Sequence, residues 1–445
     1  MNIIIAGAGE VGRHAAEVLV ADGHGVTMLD VDPGAIESIG DALDVRTYRG
    51  HASDAAALRE AGAADCDLLI AATNSDETNL LCASIGKGLG AAKSIARVHH
   101  SAFYDRRHID YARHLYVDRL VCPEYITAVE IAGSLRNPGA LAIEHFARGQ
   151  LEMQQIVVTE GAPVVGVPLR NVRLPKGTRL GTVARNGTAS VPDGQTVLEA
   201  HDVITLIGET RVFAKASEMF QSGQIKRRHI AIMGGSAISV WLARALPSPQ
   251  FSVRLFERNR ARAESLADKL GHITVIQADP TDLTVFAEEK LDSVDAFVAG
   301  TNDDEHNLLA SMLVKSRCKA RTVAVIQRST YLHLLENIGL DMAYSPRVVA
   351  SKEILRLAYA GPIQSIASLD EAAANVYEIR PQRSSAVLGV PLAKLSLPTG
   401  CAIAAIQRGD DVSVPGGSDT ISPGDVIIAI APADSESRLR KTFLK

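Results

Sequence analysis

Residues 1–12 read MNIIIAGAGEVG, a short β-type run followed at once by the motif Gly7-Ala8-Gly9-Glu10-Val11-Gly12. A GxGxxG motif that ends a strand and opens a helix is typical of a dinucleotide-binding turn. The first glycine allows the tight turn, the second lets the backbone approach a diphosphate, and the third lets the helix pack closely on the strand. The phosphates would face free N–H groups at the helix N-terminus. The context favours a nucleotide site over a turn that binds nothing.

An acidic residue stands where such a site holds a ribose. Asp30 closes the next β-type run, Gly25–Asp30. A carboxylate there accepts hydrogen bonds from both ribose hydroxyls and would repel a 2′-phosphate. The sequence therefore favours NAD(H), or an adenosine nucleotide with the same ribose, over NADP(H).

Strand-type and helix-type segments alternate through the first hundred residues. The predicted strands are 2–6, 25–30, 45–49, 68–72 and 94–98. The predicted helices run to about Val20, from an N-cap at Asp32-Pro33, and over 54–61 and 76–87. Strands that alternate with crossover helices predict a parallel, doubly wound sheet.

The dipeptide Thr73-Asn74 lies where the fourth predicted strand gives way to a helix. Thr73, Asn74 or Ser75 would cap that helix, since acidic residues follow in its first turn. In a doubly wound sheet this loop also lies at the carboxyl edge, beside the glycine turn, where ligands bind. We expect both roles. Arg97, at the end of the next strand, would add positive charge for the same phosphates, or is simply an exposed arginine.

The chain is a tandem duplication. AATNSDETNLL at 71–81 returns as AGTNDDEHNLL at 299–309, and GVPL at 166–169 returns at 389–392. Matching residues in one order along both halves predict two copies of a two-module unit. The predicted fold is α/β, with two tandem units, each a doubly wound parallel (Rossmann-like) subdomain followed by a small α+β subdomain. The expected modules are 1–135, 141–220, 228–360 and 363–445, with Gln221–His229 as the joint between the halves.

The second copy of the glycine turn departs from the motif. It reads Gly234-Gly235-Ser236-Ala237-Ile238-Ser239, so serines replace the second and third glycines. Ser236 would intrude on a diphosphate, and Ser239 would push the helix from the strand. Glu257 keeps the ribose acid, whereas Val325 stands in place of Arg97, with Arg328 three residues on. This half is expected to bind a nucleotide weakly, to bind a different one, or to act as scaffold.

Composition excludes several classes of function. The formal net charge of −5 argues against a nucleic-acid partner, which favours a basic face. Five cysteines without a CxxC pair support no metal site and fit a reducing cytosol. No apolar run reaches the roughly 18–20 residues that span a bilayer, and the start has no signal-peptide pattern. We expect a cytoplasmic protein whose membrane role, if any, depends on a partner.

Catalytic residues are not evident. His99, His100, His108 and His114 cluster near Tyr104, which leaves an NAD-dependent oxidoreductase as a rival interpretation. The second half, however, has Gln327-Arg328 in place of the first pair of histidines, and the small modules repeat mainly Gly, Pro, Leu and Val. Without a nucleophile elbow, a Walker loop or a zinc signature, no enzyme is expected.

These residues carry a family resemblance. GAGEVG with Asp30, the RGHASD turn, AATNSDETN with IARV, and the GVPL…LP…VP…DVI module resemble the TrkA-type regulatory proteins of Trk potassium uptake systems. The resemblance spans essentially the whole chain. Each half would be one RCK unit, with a Rossmann-like N-terminal subdomain and a smaller C-terminal one.

The resemblance implies a peripheral cytoplasmic subunit that docks on a membrane potassium channel or transporter. It implies a homo-oligomeric ring, typically a tetramer, that binds NAD(H) and adenine nucleotides such as ATP. The implied nucleotide contacts are Gly7, Ala8, Gly9, Glu10, Val11, Asp30, Thr73, Asn74 and Arg97, and in the second half Gly234, Gly235, Ser236, Ala237, Ile238 and Glu257. A regulator of another cation transporter or antiporter is the alternative within the same class.

Overall fold

The structure is a computed structural model of the chain. It describes residues 1–105, 109–136, 140–146, 150–185, 188–221, 227–246, 250–328, 331, 339–358, 361–369, 374–398, 400–409 and 411–444.

The first module is built on a six-stranded parallel sheet in the order β3-β2-β1-β4-β5-β6. Its strands are β1 Asn2–Ala6, β2 Gly25–Asp30, β3 Arg46–Arg49, β4 Leu68–Ala71, β5 Lys93–Arg97 and β6 Arg119–Val121. Its helices are α1 Glu10–Ala21, α2 Pro33–Ala42, α3 Ala55–Glu60, α4 Asp76–Leu89, α5 Ser101–Tyr104, α6 Tyr111–His114 and α7 Pro123–Arg136. The chain leaves β3 on one side of β1 and re-enters at β4 on the other side, so the doubly wound prediction is confirmed.

Aspartates cap the crossover helices α2 and α3. The Asp32 side chain accepts a hydrogen bond from the N–H of Gly34 at 2.9 Å, and Pro33 occupies the first helical position. The Asp54 side chain likewise accepts from the N–H of Ala56 at 2.9 Å. Each cap satisfies one of the backbone donors left free at a helix start, so each helix begins where the sequence predicts.

The second half repeats this plan with the order β14-β13-β12-β15-β16-β17. Its strands are β12 Arg228–Met233, β13 Phe251–Phe256, β14 Thr274–Ile276, β15 Ala296–Ala299, β16 Arg321–Val325 and β17 Met342–Tyr344. Its helices are α9 Ala237–Ala245, α10 Arg260–Lys269, α11 Leu283–Glu288, α12 Asp304–Arg317 and α13 Pro346–Ala358.

The joint between the halves is shorter than predicted. Arg228 and His229 pair with Phe251 and Ser252 as the first residues of β12. The Arg228 guanidinium lies 5.2 Å from the centre of the Phe251 ring, which gives this charged residue a place in the strand. Lys226, the first of the three basic residues, lies outside the described residues.

Each small module is a five-stranded antiparallel sheet. The first has the order β10-β9-β11-β8-β7 and the second β18-β19-β22-β20-β21. Their strands are β7 Ala140–Phe146, β8 Leu151–Val157, β9 Thr178–Arg185, β10 Thr188–Ser190, β11 Val203–Glu209, β18 Ile363–Leu369, β19 Ala374–Ile379, β20 Ala402–Arg408, β21 Asp411–Ser413 and β22 Val426–Pro432, and their helices are α8 Thr210–Ser217 and α14 Glu436–Phe443.

An ion pair between a partly exposed arginine and a buried aspartate occurs in both small modules. Arg185 donates from Nε and Nη2 to the two carboxylate oxygens of Asp202, both at 2.8 Å. Arg408 does the same to Asp425, at 2.9 and 2.7 Å. Both carboxylates are almost fully buried and also accept a backbone N–H group from the loop just before them. The aspartate of each repeated Asp-Val-Ile sequence therefore joins the arginine to the loop that precedes β11 or β22.

The modules assemble as like with like into two compact units. One contains Met1–Ile131 and Arg227–Ala358, and the other contains Ala132–Lys226 and Tyr359–Lys445. Within the first unit, α13 of the second half packs on α1 of the first half, where Ala350 and Ile354 share a buried cluster with Val11 and Ala15. The reciprocal helix α7 touches α9, with the Tyr125 and Trp241 rings edge to face at 5.0 Å.

The second unit has its own shared core, in which Met153 and Ile207 of one sheet join Ala404 and Ile430 of the other. Among the described residues, no helix is both long enough and apolar enough to cross a bilayer.

Candidate functional site

The glycine turn and the Thr73-Asn74 loop meet at the carboxyl edge of the first sheet. Gly7 follows β1 with φ +110°, and a Cβ built on it would lie 2.7 Å from the carbonyl carbon of Ala72 and 2.8 Å from the nitrogen of Thr73. Because β2 and β4 flank β1, this is the switch point where open α/β sheets bind ligands. The predicted neighbourhood of the two loops is therefore correct.

The three glycines of the motif have different surroundings. A Cβ on Gly12 would lie 1.9 Å from the carbonyl oxygen of Gly7, so only glycine lets α1 pack this closely on the turn. Apart from its chain neighbours Ala8 and Glu10, no described residue has a heavy atom within 4 Å of a Cβ built on Gly9, which has φ −70° and ψ −178°. The protein's own packing therefore does not require glycine at position 9, whereas the approach of a ligand to the backbone would.

Gly9 also leaves the start of α1 uncapped. It is the N-cap residue and has no side chain to accept a backbone N–H, while Glu10 and Val11 open the helix. Free N–H groups and the positive end of the helix dipole therefore meet at this turn, as an anion site needs.

Asp30 is placed at the turn by two backbone hydrogen bonds. Its Oδ2 accepts the N–H of Ala8 at 2.6 Å, and its Oδ1 accepts the N–H of Asp32 at 2.9 Å. A carboxylate has about four acceptor positions, so both oxygens keep a lone pair for a ribose hydroxyl. The side chain is only partly buried, which leaves it accessible for that role.

Asn79 holds the Thr73 loop in shape. Its Oδ1 accepts the N–H and the hydroxyl of Thr73 at 2.8 and 2.7 Å, and its Nδ2 donates to the carbonyls of Thr73 and Arg97, both at 3.0 Å. Ser75 caps α4 by accepting the N–H of Thr78 at 3.1 Å, and Asn74 is exposed. Of the three candidate caps, the structure selects Ser75.

The second half repeats this arrangement. Asn307 accepts the N–H and hydroxyl of Thr301 at 3.0 and 2.6 Å, and donates to the carbonyls of Thr301 and Val325 at 2.9 and 2.8 Å. Both asparagines are fully buried. The repeated Thr-Asn…Asn peptide therefore fixes the ends of two neighbouring strands, whatever binds beside it.

The aspartate of the repeated peptide ties down the next loop. Asp76 accepts the N–H groups of His99 and His100 at 2.8 and 2.7 Å, as Asp304 accepts those of Gln327 and Arg328.

The histidines of the rival oxidoreductase interpretation do not form one site in the described residues. His99 pairs with Glu124 at 2.7 Å, and His100 caps α5 by accepting the N–H of Ala102 at 3.2 Å. Both line an open groove of about 780 Å³ with Asn74 and Phe103. His114 ends α6 and accordingly belongs to another element, and His108 lies outside the described residues with Arg106 and Arg107.

Arg97 is partly buried at the end of β5. Burial lowers the pKa of its guanidinium, against the attraction of Glu124 and Asp76, which raises it. Its Nε is buried and has no hydrogen-bond partner among the described residues. The carboxylates that act on it belong to the α4 and α7 starts, so its contribution to a phosphate site stays a prediction.

The corresponding edge of the second half is a cavity of about 370 Å³. Glu257 is placed as Asp30 is, since its two oxygens accept the N–H groups of Gly235 and Asn259 at 2.9 and 2.8 Å. Arg262 of α10 donates to the carbonyl of Gly235 at 2.8 Å, and Arg258 and His306 also line the cavity.

Three basic residues line this cavity at positions where the first half has neutral ones. The first half has Val31, Ala35 and Thr78 at the positions of Arg258, Arg262 and His306. Asp279 lies 3.7 Å from Arg258 and 4.0 Å from His306. Burial acts to raise the pKa of Asp279, but hydrogen bonds from Thr281 and these two basic groups outweigh it, so the pKa lies below its ordinary value.

The two serines of the second turn are accommodated differently. Ser236 caps α9 by accepting the N–H of Ser239 at 3.3 Å, so a donor that is free in α1 is already used here. Ser239 is buried and donates to the carbonyl of Gly300 at 3.3 Å. A Cβ on Gly300 would lie 2.7 Å from the Ser239 oxygen, so the loss of a glycine at 239 is matched by a glycine at 300, where the first half has Ala72.

The sequences of both kinds of module match known protein families. The model of the TrkA-N domain matches residues 3–123 and 230–346, and that of the TrkA-C domain matches residues 153–221 and 376–444. The chain belongs to the TrkA family. A Trk system potassium uptake protein TrkA homolog of Archaeoglobus fulgidus is 32% identical over 100% of both chains. TrkA of Haemophilus influenzae is 31% identical over 100% of this chain and 98% of its own.

Solved structures share the fold of this TrkA-family chain. The GsuK channel bound to NAD superposes with a TM-score of 0.59 at 20% identity, covering 99% of this chain and 78% of that one. The GsuK RCK domain gives the same TM-score and covers 94% of its own chain. The predicted family and the tandem arrangement of Rossmann-like and antiparallel modules are confirmed.

Sequence reasoning missed several residues of these sites. Asn79 and Asn307 carried a signal, because each stands at the same place in the repeated peptide. Arg258 directly follows the recognised acid Glu257, and Arg262 lies one helical turn further on. Arg347, described below, gave no signal, because it is remote in sequence from the turn that it reaches.

Proposed function

We propose that this TrkA-family chain is the nucleotide-binding regulatory subunit of a Trk-type potassium uptake system. It binds a membrane potassium channel or transporter subunit from the cytoplasmic side as a homo-oligomeric ring, a tetramer, and changes the opening of that partner when NAD(H) or ATP/ADP binds. The observation that carries the proposal is the open position at Gly9 beside an uncapped α1 and an anchored Asp30. Full-length similarity to Trk system proteins supplies the transport context.

The chain's own residues explain how a nucleotide would be held in the first half. The N–H groups at the start of α1 would donate to the diphosphate, and the Gly9 backbone allows its close approach. Asp30 would accept from the ribose hydroxyls, which excludes a 2′-phosphate. The Thr73-Asn74 loop, kept in one conformation by Asn79, would close the other side.

We propose that the second cavity is the weaker of two nucleotide sites. Glu257 offers the same ribose contact, but Ser236 already occupies one donor of the α9 start and narrows the approach of a diphosphate. Calorimetry of the full chain with NADH and ATP would show two classes of site. Equal affinities, or loss of both classes in a Glu257→Ala variant, would contradict this assignment.

Regulation needs no chemical turnover of the nucleotide. A nucleotide changes the partner only if its affinity differs between two shapes of the ring. A coupling free energy of about 1–3 kcal/mol, usual for allostery, would change opening by about 5- to 150-fold.

The test is rubidium flux into vesicles that contain the co-purified membrane subunit. NADH or ATP should change flux through the wild-type complex, and an Asp30→Ala chain should remove that response while remaining bound. Because Asp30 also accepts two backbone N–H groups, Gly9→Ala serves as the second variant. Unchanged nucleotide response in both variants would refute the proposal, and co-purification with another class of cation transporter would redirect it.

A further inference from the structure

An arginine from the second half reaches the glycine turn of the first. Arg347, the second residue of α13, forms an ion pair with Glu10, the first residue of α1. The arginine side chain is 32% exposed and the glutamate 59%. Ala350 and Ile354, on the same helix as Arg347, are buried against α1. This packing fixes the position of the helix that carries Arg347.

The charge of Arg347 is of the wrong sign for its own helix. A cation in the first turn faces the positive end of the helix dipole, where anions are favoured. The first turn of α13, Pro346–Val349, has no acid to offset it. The uncapped start of α1 adds a second positive end at the same place, and Glu10 is the carboxylate that faces both.

The duplicated counterpart has the opposite character. At the second position of α7 stands Glu124, the ordinary sign for a helix start, and it pairs with His99. Glu10 is matched by Ala237. Because neither partner of the Glu10–Arg347 pair recurs in the other copy, the pair is not needed simply to dock a crossover helix on a Rossmann-like module.

We propose that Arg347 is a phosphate-binding residue of the first nucleotide site, held by Glu10 until a nucleotide's phosphates replace that carboxylate. The inference rests on the proposed function and names the ligand class, nucleotide di- and triphosphates, including the diphosphate of NAD(H). A guanidinium presents paired donors that match phosphate oxygens as well as carboxylate oxygens. Since α13 carries Arg347, a nucleotide bound at the glycine turn of the first half would contact a helix of the second half.

The exchange gives Glu10 and Arg347 opposite effects on affinity. Removing the guanidinium takes away a phosphate partner, whereas removing the carboxylate takes away a competitor for the guanidinium. If the pair only stabilised the packing of the two helices, both variants would instead shift the nucleotide affinity in the same direction, or would not change it at all.

The test is calorimetry of the full chain with ATP, ADP and AMP. Arg347→Gln should raise the ATP dissociation constant about 10- to 100-fold, the usual loss for a charge-assisted hydrogen bond, with a smaller change for AMP. Glu10→Gln should lower it about 3- to 10-fold by removing the competing acceptor, and Arg347→Lys should lie between wild type and Arg347→Gln. The control is Arg356→Gln on the same helix, because Arg356 pairs with Glu353 within α13.

Three outcomes overturn the inference. They are an unchanged ATP affinity in Arg347→Gln, shifts of the same sign in Arg347→Gln and Glu10→Gln, or an equal loss in the Arg356→Gln control. If Arg347→Gln fails to fold, the ATP affinity of Glu10→Gln decides: a lower dissociation constant supports the inference, and an unchanged or higher one overturns it. A wild-type chain that binds no nucleotide at all would refute the proposed function itself, whereas a wild-type chain that binds normally isolates the role of Arg347.

Discussion

Alanine substitution at each glycine of the first turn separates ligand binding from folding. At Gly9 the added methyl group meets no heavy atom within 4 Å from any described residue other than its chain neighbours, and the backbone angles are allowed for alanine. Losing glycine as an N-cap costs about 0.5–1 kcal/mol, and restricting the unfolded chain returns about as much. The free energy of unfolding should therefore change by no more than about 0.5 kcal/mol.

The same methyl group would stand where the diphosphate approaches the backbone. Forcing one carbon into a fitted site costs about 1–3 kcal/mol, so the dissociation constants of NADH and ATP at the first site should rise about 5- to 150-fold. Gly12→Ala should instead unfold the turn, because its Cβ would lie 1.9 Å from the Gly7 oxygen. Gly88→Ala on the exposed side of α4 is the matched control and should change neither binding nor packing.

Thermal unfolding without ligand and calorimetry with ligand measure the two effects separately. We expect a stable Gly9→Ala chain with weak binding and a destabilised Gly12→Ala chain. A Gly9→Ala chain that binds NADH and ATP like wild type would show that no diphosphate approaches this turn. A Gly9→Ala chain as unstable as Gly12→Ala would show that the turn is packed differently.

Three further predictions concern stability. Asn79→Ala and Asn307→Ala should each lower the free energy of unfolding by about 2–4 kcal/mol in urea titrations, because each leaves buried donors and acceptors unpaired, and a loss below 1 kcal/mol would contradict it. His201→Gly should raise the free energy of unfolding by about 0.5–1 kcal/mol, since His201 has φ +71° where the repeat has a glycine; a decrease would contradict this. Burial acts to raise the pKa of Asp202, but the hydrogen bonds from Arg185 outweigh it, so the pKa lies below its ordinary value. The Arg185–Asp202 pair therefore stabilises the fold above about pH 4, and this stabilisation is lost as the pH falls further. An Asp202→Asn chain should be less stable at pH 7 and show a smaller acid-induced loss.

Much of the fold could be predicted because its determinants are local and repeated. Short β-type runs marked the strands, Asp32-Pro33 marked the start of α2, and the duplication predicted the same plan for the second half. The turn at Gly7 and the acid Asp30 were recognisable because the first directly follows a predicted strand and the second ends one.

The remaining parts of the site depend on contacts between distant segments. Asn79 reaches back across a loop to Thr73 and sideways to the next strand, which no sequence period reveals. Arg347 belongs to a helix that packs on the other half of the chain. Ser239 looked incompatible with close helix packing until Gly300 appeared opposite it, so two substitutions that each seem unfavourable are compatible together.

The exchange of crossover helices, α13 onto α1 and α7 against α9, has an evolutionary consequence. A single-unit ancestor that made the same contact with a second copy of itself would have carried every substitution on both sides of that contact. Once the two copies were joined in one polypeptide, that constraint ended. Position 10 can therefore hold glutamate while 237 holds alanine, and 347 can hold arginine while 124 holds glutamate. Joining the two copies in one polypeptide thus lets selection act on the two glycine turns independently.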